Sequence, residues 1–152
     1  MRRLKRRREG AGVYQSDWLL RQIEMMGQAF KALLAALREH RPEDAIGISR
    51  EAVGELLGTD PDAVDALTGD GLLTLLSAGG ALDVFRAHML GELLAARSWA
   101  LDEAGRAGEA SLQRDRARTL LAAALPLSGG EDAARIADVI GWLDREAPPG
   151  LE

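Results

Sequence analysis

The chain has 152 residues, 47% of them hydrophobic but only 4% aromatic, no cysteine, and a formal net charge of −5. That length suits one domain with its own core, and the lack of cysteine excludes disulfides, thiolate metal sites and cysteine nucleophiles. Alanine and leucine dominate, β-branched residues are scarce, and no apolar run approaches the ~20 residues that cross a bilayer, so an all-α protein without a membrane segment is expected.

The chain opens on Arg2, Arg3, Lys5, Arg6, Arg7 and Arg8 against Glu9, while the remainder is acidic. Two readings of residues 1–15 stay open. One is a disordered, solvated arm; the other is a basic arm that neutralises nucleic-acid phosphates without folding, although an acidic body would repel them. Gly10 to Ser16 stand where a secretory signal would carry its hydrophobic core, which points to a cytoplasmic location.

Ser16-Asp17 has the chemistry of a helix N-cap. From there Leu19, Ile23, Met26, Phe30, Leu33 and Leu37 recur at spacings of three and four, predicting a helix over 16–39 of about 35 Å. Gly27 within it would let another helix approach closely. His40-Arg41-Pro42 ends this helix and starts a second, which carries Ile46, Val53 and Leu56 and stops at Gly58. Asp60-Pro61-Asp62 starts a short helix with Val64 and Leu67, and Leu72–Leu76 forms another. The second long helix is predicted over 81–104, packed against the first, with Leu82, Phe85, Met89 and Leu93 inward and Ala87, Gly91 and Ala95 as a close-packing line. Gly105-Arg106-Ala107-Gly108 is a turn, because two glycines three apart would each cost about 1 kcal/mol inside a helix. A helix to Leu125 follows, then Ser128-Gly129-Gly130-Glu131 as a capping box for a last helix with Ile136, Val139, Ile140 and Leu143. The expected layout is an arm over 1–15, one helical domain over 16–146 and a disordered tail over 147–152.

Gly105 to Ala110 followed by Ala117 resembles the turn and second helix of the tetratricopeptide pattern, and Pro42 to Ala45 followed by Ala52 repeats that spacing. The match is partial: Arg97 and Arg114 fall where that family has leucine and an aromatic residue. The resemblance implies a helical bundle of antiparallel, tetratricopeptide-like hairpins, with two long helices and four or five shorter ones. Asp17-Trp18-Leu19-Leu20-Arg21-Gln22-Ile23-Glu24, with Leu72–Gly80 and the helix ending at Gly105, resembles a second family. This is a family of small bacterial proteins (domain of unknown function 6483) that opens with Asp-aromatic-apolar-apolar-Arg-x-Ile-Glu. It implies an all-helical fold and no assigned activity.

No residue pattern suggests catalysis. His40 and His88 stand apart without a second histidine at helical spacing, and each reads as a surface or capping residue. No nucleophile elbow, phosphate loop or calcium loop occurs. No cofactor or metal is expected, and the chain reads as a non-enzyme. Arg21 and Glu24 are a candidate structural ion pair, either purely intrahelical or fixing how the first helix docks. Arg97, Arg114 and Arg118 gather with acids around the last hairpin, as a solvated salt-bridged face or as part of a groove for acidic ligands. Trp142 is a candidate interface residue for a homodimer. The function expected is a protein-interaction module with an unidentified partner; the alternative is a nucleic-acid-associated accessory protein using the basic arm.

Overall fold

One turn is built twice in this chain. In the computed structural model, which describes the backbone of residues 2–145 and the side chains of residues 17–145, helix α1 spans Arg2–Arg38 and α2 spans Pro42–Leu57. Between them His40 takes φ +55°. Its N–H donates to the Leu37 carbonyl at 3.2 Å, and that of Arg41 reaches back to Ala36 at 2.9 Å. Two short helices later, α5 (Val84–Glu103) and α6 (Ala107–Ala124) are joined in the same way. Gly105 takes φ +78°, its N–H donates to Asp102 at 3.0 Å, and that of Arg106 reaches Leu101 at 2.9 Å. A left-handed residue with this pair of bonds satisfies the terminal carbonyls and reverses the chain.

The likeness continues past the turn. Arg41 pairs with Asp44 three residues on, and Arg106 with Glu109. Ala45 and Ala52 on α2, and Ala110 and Ala117 on α6, are all buried against the preceding helix, where a larger side chain would push the hairpin apart. The turn is tighter than the two glycines imply, since Gly108 lies inside the first turn of α6.

The hairpins are linked by α3 (Pro61–Asp65) and α4 (Gly69–Leu76), and the chain ends with α7 (Gly130–Trp142) after a single 3₁₀ turn at Leu125–Leu127. Among the described residues there is no strand, and no helix is long and apolar enough to cross a membrane. Asp60, Thr68 and Asp83 accept the N–H of Asp62, Gly71 and Arg86, capping α3, α4 and α5. Thus α5 begins at Val84, not at residue 81. The capping box expected at Ser128 does not form: its hydroxyl donates to the Ala124 carbonyl at 2.8 Å, and Gly129 holds the cap position without a side chain.

Packing runs in sequence: α1 lies on α2, α2 on α5, α5 on α6, and α7 closes against α6 and the 3₁₀ turn. Helix α5 is central, with every residue from Leu90 to Leu101 buried. At Gly91 a β-carbon would come within 2.6 Å of Leu121 Cγ, so only glycine admits α6 this closely. The two long helices do not pack along their length as expected. α1 packs mainly on α2 and α5 mainly on α6 and α2, and α1 and α5 face one another across a cleft.

Helix α1 also departs from expectation at its start. It runs unbroken through Ser16-Asp17 to Arg2, so these residues cap nothing, and the backbone of the basic arm is helical where disorder was expected. The side chains of Arg2, Arg3, Lys5, Arg6, Arg7 and Arg8, and the whole tail over 147–152, lie outside the described residues.

Candidate functional site

Helix α2 covers only one side of α1. Met26, Leu33 and Leu37 are buried at the floor of a cleft beside it, whereas Ile23, on the same lining, is 48% exposed and Leu34 37%. The uncovered side of α1 forms one wall of this cleft of about 670 Å³, with α5 opposite and α7 across the end. Ile23 and Phe30 of α1, Phe85 and Met89 of α5, and Val139 and Trp142 of α7 make its lining mostly apolar.

Polar groups converge at one place on this lining. His88 and Glu92, one helical turn apart on α5, are hydrogen-bonded from Nε2 to Oε2 at 2.6 Å. Arg135 of α7 donates to the other carboxylate oxygen from Nε at 3.0 Å and from Nη2 at 2.7 Å. Burial pushes the Glu92 carboxyl up, but the hydrogen bonds and charges of His88 and Arg135 outweigh it and hold the group below the ordinary carboxylate value. The Arg135 guanidinium also lies 5.2 Å from the centroid of the Trp142 ring. Outside this lining, Arg86 sits 4.9 Å from the Trp18 ring and donates from Nε to the Leu56 carbonyl at 3.1 Å.

Both Glu92 oxygens are therefore taken by protein donors, and the cluster ties α7 to α5. It gives the apolar cleft a polar, electrically compensated patch. Among the described residues no three histidine, aspartate or glutamate side chains converge as metal ligands.

The arginines singled out near the last hairpin separate. Arg97 is neither solvated nor available to a ligand: it is 2% exposed, donating to Ser49 Oγ at 3.1 Å and to Asp65 at 2.9 Å. Ser49 in turn donates to the Leu93 carbonyl at 3.0 Å. Asp65 also receives Arg50, and Arg116 of α6 donates to the carbonyls of Val64 and Leu67. Three arginines from α2, α5 and α6 thus fasten α3 between the hairpins. Burial lowers the pKa of Arg97 and of Arg116, opposed in both by Asp65. Arg97 Nη2 and Arg116 Nε find no acceptor among the described residues. Arg114 pairs with Asp102 at 2.5 Å and Arg118 with Asp144 at 2.8 Å.

Trp142 does line the cleft, half-buried. Trp99 is core, its indole donating to the Arg145 carbonyl at 3.0 Å, and Trp18 is 40% exposed. Arg21 and Glu24 are both exposed on α1. No ion pair joins them; Arg21 Nε approaches the Asp17 carbonyl at 3.5 Å instead. Both readings of that pair, intrahelical and docking, are thereby corrected. His88 is corrected as well: it is 7% exposed and faces Glu92 inside the cleft, not the surface. Its signal was present in the sequence as an acid four residues on, at helical spacing, among apolar neighbours.

No family model, no curated protein and no solved structure matches the chain.

Proposed function

We propose that this protein is a non-catalytic helical interaction module whose cleft between α1, α5 and α7 receives an amphipathic helix. One observation carries the reading: the apolar wall of the cleft continues into the exposed stripe of α1 at Leu20, Ile23 and Leu34. A concave apolar surface with a few fixed polar groups is where ligands bind, and a groove between helices suits the apolar face of another helix. The polar cluster favours binding over catalysis, because each Glu92 oxygen already accepts a hydrogen bond. On this reading the repeated hairpins are tetratricopeptide-like, with the first helix of each pair facing the partner, and the protein acts in the cytoplasm. The basic arm then supports the association and is not a nucleic-acid site.

The test is titration with an amphipathic, leucine-faced helical peptide of about 20 residues, followed through tryptophan fluorescence. Saturable binding is expected for the native chain and should be lost in Met89→Glu, which places an unpaired charge in the cleft wall. Equal binding by both proteins would remove the cleft as the site.

A further inference from the structure

We infer that the arginine cluster fastening α3 encloses one chloride-sized anion between Arg97 of α5 and Arg116 of α6. The site is apart from the cleft, and its test does not depend on the helix-binding reading.

The charges of the cluster leave one over. Arg50 has Asp62 as a partner of its own and shares Asp65 with Arg97. Arg116 meets no carboxylate: its Nη1 donates to Gln113 Oε1 at 3.1 Å and its Nη2 to the carbonyls of Val64 and Leu67. Three guanidiniums thus share two carboxylates. Asp60, the other acid near Arg50, is exposed and caps α3. Arg50 and Asp62 lie nearer the surface, so the surplus falls on Arg97 and Arg116, each 2% exposed. An uncompensated charge at that depth is strongly disfavoured.

Unused donors lie at the same place. Arg97 reaches Asp65, and Arg116 reaches the carbonyls on either side of it, so the two side chains meet one short stretch from neighbouring helices. Burial lowers the pKa of Arg97, and the nearby charge of Arg116 lowers it further. Arg97 Nη2 and Arg116 Nε are shut off from solvent and have no acceptor among the described residues. One acceptor carrying one negative charge would take an N–H from each and balance the count.

Charge and size select the ion. A phosphate would exceed the single surplus charge and set its oxygens against the Val64 and Leu67 carbonyls. A water molecule would accept both bonds but leave the charge. A halide meets both needs, and it accepts donors from any direction. Arg97 is closed to a ligand arriving at the surface, so the ion is taken in as the hairpins close on α3.

The experiment is chemical denaturation of the full chain in sodium chloride and sodium gluconate mixed at constant ionic strength, which fixes screening. An ion held by the folded chain alone should lower the unfolding equilibrium constant about tenfold for each tenfold rise in chloride beyond its dissociation constant. Gln113→Glu sets a carboxylate beside Arg116 with almost no change in volume. That variant should exceed the native chain in stability in gluconate and lose most of the chloride dependence. Arg114→Met removes an arginine that pairs with Asp102 outside the cluster, and should keep the dependence. Protein refolded in bromide and then crystallised should show the ion in contact with Arg97 Nη2 and Arg116 Nε. Stability indifferent to the exchange of anions, a chloride dependence unchanged in Gln113→Glu or lost in Arg114→Met, or bromide bound only elsewhere would overturn the inference.

Discussion

Glu92 takes both Nε and Nη2 of Arg135 on a single oxygen, at 3.0 and 2.7 Å, and thereby ties the last helix to the central one. Arg135 is about half exposed and Glu92 is nearly buried, so the acid depends on the base more than the reverse. Arg135→Ala should destabilise the protein by about 1–3 kcal/mol, the cost of a buried acceptor left short of donors. Arg135→Ala combined with Glu92→Leu should recover part of that loss. Urea denaturation of the two variants checks this, and equal stabilities would show that the pair carries little coupling.

The same cluster sets an acid limit. The folded protein holds Glu92 below the ordinary carboxylate value, so the ionised form is favoured by folding. Its contribution is complete above about pH 4.5, declines as pH falls through that range, and is gone once pH drops below the folded-state value. Melting temperatures measured from pH 7 to 3 should fall more steeply in the native chain than in Glu92→Gln. Parallel profiles would mean other carboxylates dominate the acid transition.

Arg97→Ala should cost about 2–4 kcal/mol, because it strips Ser49 of a donor and leaves Asp65 to Arg50 alone. The loss should be local at first. Hydrogen exchange is expected to quicken in α3 and α4 before it does in α5, and uniform quickening would contradict a fastening role.

Ala110→Leu should destabilise by about 1–3 kcal/mol through overpacking. Ala110 is fully buried at the start of α6, one turn beyond the Gly105 reversal. A chemical denaturation midpoint unchanged from the native chain would place it at a looser interface than the structure gives.

The hairpins were legible in the sequence because their cause is local. A left-handed residue, a first-turn acid and alanines seven apart say where the chain reverses and which face must stay thin. At the first reversal His40 stands where the second has glycine, and its ring bonds Glu103 at 2.8 Å. Arg97 was misread for the opposite reason. Its acceptors, Ser49 and Asp65, are 48 and 32 residues away, and no spacing rule reaches that far. The cleft was legible only in part. The apolar stripe of α1 was plain, but which half of it α2 would cover depends on how the hairpins stack. The polar cluster joining His88, Glu92 and Arg135 needed α7 to be placed first.

Arg116 grips the main-chain carbonyls of Val64 and Leu67 and no side chain of that segment. Every residue type offers a carbonyl, so this one grip is blind to the side chains at Val64 and Leu67, whereas Asp62 and Asp65 are held by their own pairing with Arg50 and Arg97. A change of letter at Leu67 leaves that mooring in place, while the loss of Arg116 removes it.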